Sequence, residues 1–124
     1  MADARDTLLL PFEQGLLPEP DDLWIFFEAK PLPGNTLTTL ACEQGHRGFH
    51  LALQQAGYDN APRRDESDRA GALILANRNR IANEQNLARA WNTTREGGYV
   101  VFAGDTNSSV KSLRKWAGER AEVA

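Results

Sequence analysis

Runs of apolar residues alternate along the chain with segments of helical periodicity, and turn residues separate the two. Apolar runs that are rich in β-branched or aromatic residues predict β-strands. The first and third predicted strands are apolar almost throughout, which is typical of strands buried on both faces of a sheet. The four predicted strands are Leu23–Ala29, Thr36–Cys42, Gly71–Ala76 and Tyr99–Ala103.

Four segments place apolar residues three and four positions apart, the spacing of one face of an α-helix. Asp6 is the predicted N-cap of the first helix, and Gly57 and the Gly97-Gly98 pair mark the ends of the second and third. Residues 104–109 offer several capping side chains to the fourth helix, and Asn60–Arg69 is predicted to be a surface loop. The predicted helices, each with its core-facing residues, are Thr7–Gly15 (Leu8, Leu9, Phe12), Phe49–Ala56 (Phe49, Leu53, Ala56), Asn77–Arg95 (Ile81, Leu87, Ala88, Trp91) and a last helix after Ser109 (Val110, Leu113, Ala117).

Strands that alternate with helices at this spacing predict βαβ units. The predicted fold class is therefore α/β, with an open, mostly parallel sheet and flanking helices. The length of 124 residues suits a single domain that spans residues 1–124. Because one fold of this type serves many functions, the chemistry has to be sought in particular residues.

Charge is distributed unevenly along the chain, although the net charge is only -3. Residues 1–30 carry seven acidic and two basic side chains, whereas residues 78–120 carry eight basic and four acidic ones. This gradient predicts either a basic face for nucleic acid or a solvated helix surface, and both interpretations stay open. Cys42 is the only cysteine, so it is expected to pack as a small hydrophobe in a reducing compartment. No apolar run approaches the length of a signal peptide or a membrane span, and a cytoplasmic protein without membrane contact is expected.

The residues after the first strand argue against cofactor binding by this chain. A dinucleotide or S-adenosylmethionine site needs a glycine-rich turn there, whose amides approach the cofactor closely. The sequence has Lys30-Pro31-Leu32-Pro33-Gly34 instead, and two prolines remove two amide donors. Glu43 is the only acid placed to end the second strand and hold ribose hydroxyls. We therefore expect no bound cofactor.

Two further segments have an ordinary interpretation beside a chemical one. Gly45–Gly48 is either a small anion-binding turn at a helix N-terminus or a plain connection. His46 and His50 lie four residues apart, but no Cys, Asp or Glu completes a metal-ligand pattern around them, so no metal is expected. Cys42 with either histidine as base is a conceivable nucleophile, supported only by proximity in sequence. No catalytic residue is expected in this chain.

The segment Asn77-Arg78-Asn79-Arg80 directly follows a predicted buried strand, where open α/β sheets place their ligands. The two arginines are positioned either to grip a phosphate or to lie in solvent while an asparagine caps the helix. The basic side of the last helix adds three residues to this candidate surface. The candidate contacts for RNA or a protein partner are Arg78, Arg80, Lys111, Arg114 and Lys115.

The block GALILANRNRIANEQNLARAW followed by GGYVVFAGDTNSSVKSLRKW resembles the N-terminal domain of RsmC-type ribosomal RNA small-subunit guanine-N2 methyltransferases. In that family a strand ends in a short basic segment containing Pro or Asn, and a helix then leads to a Gly-containing turn. The next strand ends in a V-G-x-(N/K)-x-x-G-(V/I)-x-S-like sequence, whose place is taken here by Phe102–Ser112. Ser108 or Ser109 stands where the family commonly has glycine. The resemblance covers about half of the chain.

The resemblance implies a degenerate Rossmann-like methyltransferase fold in one half of a duplicated enzyme. The C-terminal domain of such an enzyme binds S-adenosylmethionine and carries an Asn-Pro-Pro-type motif. The N-terminal domain, without a cofactor loop, supports that catalytic domain or helps to place the RNA. The implied partners are the catalytic domain, expected downstream and absent here, and ribosomal RNA. The alternative is a stand-alone small RNA-binding or protein-interaction module that uses the basic last helix.

Overall fold

The computed structural model describes residues 3–65, 67–105 and 108–121. These residues form four α-helices and five β-strands. The helices are α1 (Ala4–Glu13), α2 (Arg47–Gln55), α3 (Arg80–Thr93) and α4 (Val110–Gly118). The strands are β1 (Trp24–Phe27), β2 (Ala41–Glu43), β3 (Asp59–Ala61), β4 (Arg69–Leu75) and β5 (Thr94–Ala103), and a short 3-10 helix covers Pro33–Asn35.

The five strands form one open sheet in the order β3-β2-β1-β4-β5, and every neighbouring pair is parallel. The first strand, β1, lies at the centre of the sheet. β2 and β3 follow on one side of it, and β4 and β5 lie on the other side. The predicted α/β class is confirmed, and the sheet is Rossmann-like. The direction of building reverses between β1 and β4, which makes the carboxyl end of these two strands the switch point of the sheet.

The core consists of two layers, one on each face of the sheet. On the first face, Leu8 of α1 and Leu53 of α2 pack with Phe26 of β1. On the second face, Leu113 of α4 packs with Phe27 of β1 beneath α3. All five side chains are fully buried. The apolar strands supply both layers because successive residues of a strand point to opposite faces.

The N-terminus of α1 differs from the prediction, because Asp3 rather than Asp6 is the N-cap. The Asp3 carboxylate accepts from the amide of Arg5 at 2.8 Å and from that of Asp6 at 3.4 Å. The Asp6 carboxylate in turn accepts from the Asp3 amide at 3.0 Å. This reciprocal pair is a capping box, and it starts the helix at Ala4, three residues before the predicted start.

Two strand assignments also differ from the prediction. Residues 36–40 form a turn rather than the first part of β2, in which Leu37 has a φ of 56° and its carbonyl accepts from the Leu40 amide at 3.2 Å. The strand is therefore Ala41–Glu43. The predicted loop Asn60–Arg69 contains most of β3, a short edge strand whose polar residues leave no hydrophobic signal.

Three of the four residues that were predicted to face the core from α3 are exposed. Ile81 and Trp91 are 65% and 61% exposed, and Ala88 is exposed as well, whereas Leu87 is buried as predicted. Asn83, fully buried, takes a core position instead. The other core-facing residues of this helix are Asn86 and Ala90.

The Gly97-Gly98 pair lies inside β5 rather than at the end of α3. The ladder with β4 is irregular there, because Arg69 is in register with Thr94 whereas Gly71 is in register with Tyr99. Gly97 has a φ of +83°, and a Cβ on Gly98 would lie 2.5 Å from a backbone oxygen. The glycines form a bulge before the regular part of the strand, which is the predicted Tyr99–Ala103.

The core-facing residues predicted for the other helices hold with one exception, whereas Ser109, the N-cap of α4, makes no side-chain capping bond. In α4, Leu113 and Ala117 are buried and Val110 is half-buried, as predicted. In α2, Leu53 is buried as predicted, but Phe49 is partly exposed. Thr106 and Asn107, which belong to the predicted capping segment of α4, lie outside the described residues.

Candidate functional site

The switch point between β1 and β4 is the position where an open parallel sheet binds its ligand. The loop after β1 crosses this position and is held by hydrogen bonds to its neighbours. The Ala29 amide donates to the Glu43 carbonyl at 3.2 Å, and the Ala29 carbonyl accepts from Gln44 Nε2 at 2.9 Å. The Leu32 amide donates to the Tyr58 hydroxyl at 3.1 Å, and Arg5 Nη1 donates to the Pro31 carbonyl at 2.9 Å. Two loop amides are therefore engaged within the protein, and two more are absent because of the prolines.

Glu43, the acid at the end of β2, is paired rather than free. Its Oε1 accepts from Arg89 Nη2 at 2.6 Å and its Oε2 from Arg89 Nη1 at 2.7 Å, a two-bond contact from α3. Oε1 also accepts from the Arg64 amide at 2.7 Å. The hydrogen bonds that Arg89 donates to the Glu43 carboxylate raise the pKa of Arg89. Both carboxylate oxygens are thus occupied by the protein's own donors.

The same ion pair fastens α3 to the sheet. The Arg89 guanidinium lies over the ring of Phe27, with its central carbon 4.9 Å from the ring centre. Its Nη2 also donates to the Arg64 carbonyl at 3.0 Å. Arg64 itself donates from Nε to the Cys42 carbonyl at 2.7 Å. The network therefore joins β1, β2, α3 and the loop after β3, and its role is structural.

A cleft of about 310 Å³ remains beside this loop, lined by Lys30 after β1, by Leu75 and Ala76 at the end of β4, and by the first turns of α1 and α2. Asp3 pairs with Arg5 at 2.9 Å, and the side chain of Asp105 accepts from the Ala4 amide at 3.0 Å. Lys30 Nζ lies 4.6 Å from the centre of the Phe49 ring. The hydrogen bond from Arg5 lowers the pKa of Asp3, which stays ionised at neutral pH. The cleft contains charges of both signs that are already engaged, an arrangement that stabilises the loops.

The segment Asn77–Arg80 is tied to its surroundings through its backbone and its asparagines. Asn83 clamps Asn77, accepting from its amide at 2.9 Å and donating to its carbonyl at 2.8 Å. Asn79 is the N-cap of α3 and accepts from the Ala82 amide at 3.0 Å. Arg78 and Arg80 are exposed, and Arg80 lies 3.7 Å from Glu84. Asn79 therefore caps α3, Asn83 fixes the backbone of Asn77, and the two arginines face solvent.

The basic side of α4 adjoins this segment. The Ser109 hydroxyl donates to the Arg78 carbonyl at 2.9 Å, and the Ser109 amide donates to the Asn77 carbonyl at 3.0 Å. These two bonds bring the first turn of α4 against the segment before α3. The three basic residues predicted on the outer side of α4 are all exposed: Lys111, Arg114 and Lys115. The structure thus places the five candidate contacts on two adjoining elements.

The histidines and the cysteine play local structural roles. His46 is the N-cap of α2, and its Nδ1 accepts from the Phe49 amide at 3.4 Å, so the turn Gly45–Gly48 caps its own helix. His50 Nδ1 lies 2.5 Å from Asn60 Nδ2. Cys42 is fully buried, and burial raises the pKa of its thiol to about 12. A thiol with that pKa is a poor nucleophile at neutral pH.

In the part of the chain that the structure describes, no group of three or more His, Cys, Asp or Glu side chains could hold a metal ion. Within the same residues, no helix has the length and apolar character needed to cross a membrane. Sequence reasoning missed Arg64 and Arg89 as partners of Glu43. No local pattern signals this contact, because the three residues lie far apart in sequence.

Fold and site together define an α/β protein with an open, all-parallel, Rossmann-like sheet whose switch point is closed to a cofactor in one sense: the amides of its own loop are engaged or replaced by proline. No protein-family model, curated protein or solved structure matches the chain.

Proposed function

We propose that the chain is a cofactor-free methyltransferase-like domain of an S-adenosylmethionine-dependent ribosomal RNA (guanine-N2) methyltransferase. It acts in the cytoplasm, in rRNA processing, where it supports the catalytic domain or helps to place the RNA. The observation that carries this proposal is the closed switch point of the sheet. A Rossmann-like sheet whose switch-point loop has its amides engaged, or replaced by proline, retains the architecture of a cofactor-binding domain without the cofactor's hydrogen-bond donors.

Two requirements of a nucleoside-type cofactor bear on this proposal. Its phosphates or carboxylate need free backbone amides after β1, and its ribose needs a free carboxylate at the end of β2. The amides of Ala29 and Leu32 are engaged, and Pro31 and Pro33 have none. The carboxylate of Glu43 is held through both oxygens by Arg89. Both requirements conflict with the contacts of this chain.

The choice of this particular enzyme in the proposal depends on the resemblance to the RsmC-type domain. The elements that carry it follow each other in the expected order: β4, the basic segment Asn77–Arg80, α3, the Gly97-Gly98 bulge, β5 and α4. The Asn83 clamp and the bonds from Ser109 give two of these segments a defined conformation. The order of elements supports the proposal, and the closed switch point is consistent with the implied supporting role.

The proposal is tested by calorimetric titration of the chain with S-adenosylmethionine and with its demethylated product. We expect no heat of binding for either compound. Micromolar affinity would overturn the proposal. The genomic reading frame supplies a second test, because a frame that continues past Ala124 into a glycine-rich loop and an Asn-Pro-Pro motif is expected. A continuing frame that lacks both would contradict the assignment to this enzyme.

A second candidate function is a small RNA-binding module. The observation that favours it is the shared location of Arg78, Arg80 and the basic side of α4, all solvent-exposed. Phosphate contacts release counterions, so the affinity for structured RNA should fall with salt by a log–log slope of about 0.7 to 0.9 per phosphate contacted. The double variant Arg114→Ala and Lys115→Ala should reduce that slope by about one to two. Arg47→Ala is the matched control and should leave the slope unchanged, because Arg47 is exposed on α2, on the other face of the sheet. An RNA affinity that does not depend on salt would exclude binding through phosphate contacts.

A further inference from the structure

The two free edges of the sheet differ in character. β3 has three residues, Asp59–Ala61, and Arg64 Nη2 donates to the Asp59 carbonyl there at 3.0 Å. β5 has ten residues, and its regular part, Tyr99–Ala103, contains neither a charge nor a proline. Sheets protect their edges with short strands, charges, prolines or a covering segment. Among the residues that the structure describes, the edge at β3 has such protection and the last five residues of β5 do not.

The burial of β5 is that of a strand with a neighbouring strand on one side only. Residues 72–74 of β4 are fully buried, whereas residues 100–102 of β5, in register with them, are half-buried. Tyr99 is 43% exposed. A strand that is apolar on both faces is typical of the interior of a parallel sheet. The end of β5 therefore has the sequence of an interior strand and the position of an edge strand.

The direction of the backbone groups identifies which residues are available for pairing. The Ala76 amide donates to the Ala103 carbonyl at 2.8 Å, so the backbone groups of Ala103 point toward β4. Because these groups alternate in direction along a strand, those of Val101 also point toward β4. Those of Val100 and Phe102 point away from it. Within the described residues, nothing outside the sheet ladder bonds to the backbone of Val100 or Phe102.

We propose that β5 pairs in antiparallel direction with β5 of a second copy of this chain, around a twofold axis at Val101. In this register the outward groups of Val100 in one copy and Phe102 in the other form a hydrogen-bonded pair, and symmetry repeats it. Tyr99 lies opposite Ala103, and symmetry repeats this contact of a large with a small side chain on the sheet face that also carries Val101. Such a pairing closes on itself as a twofold dimer, the commonest symmetry of soluble oligomers.

The charges at the two ends of the strand are compatible with a second copy in this direction. Arg95 and Glu96 lie together in the bulge at the start of β5, so that end carries no net charge, and Asp105 follows the other end. Antiparallel pairing keeps the Asp105 residues of the two copies at opposite ends of the contact. Parallel pairing would set them side by side, and like charges are unfavourable across strands. Residues 99–104 between the two ends are neutral, so the two copies do not repel each other along the contact.

The oligomeric state in solution provides the first test. Light scattering on the purified chain over a dilution series should give twice the monomer mass of 13.7 kDa, with dissociation at the lowest concentrations. Val100→Pro removes an outward amide without breaking the ladder to β4, and Tyr99→Lys adds a charge that protects the edge. Both variants should be monomers. Leu51→Lys, at an apolar side chain on α2 that is 46% exposed, is the matched control and should remain a dimer.

Oxidative cross-linking provides a test of the register. At the axis, Val101 of the two copies forms a non-hydrogen-bonded pair with Cα atoms about 4.5 Å apart, within disulfide range. Val101→Cys should therefore form a covalent dimer quickly. Tyr99→Cys should not, because position 99 of each copy faces position 103 of the other and the two cysteines are far apart. The buried Cys42 does not compete.

Three results would overturn the proposal. The first is a wild-type chain that is monomeric throughout the dilution series, as expected if the edge serves another kind of protein. The second is a dimer that survives Tyr99→Lys. The third is equal cross-linking at positions 99 and 101. Circular dichroism establishes that each variant is folded, and if Val100→Pro unfolds, Tyr99→Lys and the cross-linking still decide the question. The proposed pairing does not depend on the proposed function.

Discussion

Replacement of Arg89 by methionine tests the network that closes the switch point. The change removes both hydrogen bonds to the Glu43 carboxylate, at 2.6 and 2.7 Å, and leaves the carboxylate with the Arg64 amide as its donor. Methionine retains apolar volume over the Phe27 ring, so the loss is mainly electrostatic. Breaking a buried ion pair from one side costs about 3–5 kcal/mol.

The expected cost is somewhat lower, because the side chains of Arg89 and Glu43 are 23% and 9% exposed. We expect Arg89→Met to lower the free energy of unfolding by about 2–4 kcal/mol, a large share of the roughly 5–15 kcal/mol of a typical domain. Glu43→Gln should cost less, because the long arginine side chain can turn toward water. The two changes together should cost less than the sum of the single ones, with a coupling of about 1–3 kcal/mol.

Urea unfolding followed by tryptophan fluorescence and circular dichroism measures these differences, provided that the slope of the transition stays constant. Arg80→Met is the matched control, because Arg80 pairs with Glu84 at 3.7 Å on the exposed side of the same helix. Such surface pairs contribute about 0.3–0.5 kcal/mol. If Arg89→Met costs no more than Arg80→Met, the network does not hold α3 to the sheet and the reasoning is refuted.

Three further outcomes follow from the structure. The folded-state pKa of Asp3 lies below its ordinary value of 3.8, so the ionised side chain contributes stability above that pH, and this contribution is lost on acidification. Asp3→Asn preserves the N-cap but cannot ionise, so the variant should lose less stability than the wild type as the pH falls. An unchanged profile of stability against pH would contradict this. Gly98→Ala should cost more than about 2 kcal/mol in urea unfolding because its Cβ would meet the Ala70 carbonyl, whereas Gly118→Ala, in open space, should be neutral or slightly stabilising. The thiol of Cys42 should react with a chromogenic disulfide only on unfolding, and rapid reaction in the native state would contradict its burial and raised pKa.

The fold class could be predicted from the sequence because long apolar runs and helical spacing identify strands and helices from neighbouring residues alone. The sequence identified β1, β4, the regular part of β5 and the buried faces of α1 and α4. It failed for β3, a three-residue edge strand that contains Asp59, Asn60 and Ala61 and so has no apolar run. It also failed for α3, where the core position of Asn83 is satisfied by the backbone of Asn77, an arrangement that hydrophobic periodicity cannot indicate.

The candidate site was predictable only in part, for a related reason. The prolines after β1 indicate a closed loop from the sequence alone, and the structure adds the hydrogen bonds that hold it. The partner of Glu43 could not be predicted, because Arg89 lies 46 residues away and reaches Glu43 only once α3 packs on the sheet. The edge of β5 is visible only once the strand order is known, since an interior and an edge strand have the same apolar sequence here.

The most direct test of the closed switch point is an NMR titration of the isotope-labelled chain with the demethylated product of S-adenosylmethionine. The amide signals of Ala29, Lys30 and Glu43 report on the two positions where a nucleoside-type cofactor would bind. The proposed cofactor-free role predicts that none of these signals shifts as the compound is added to excess. Saturable shifts at these residues with micromolar affinity would contradict it.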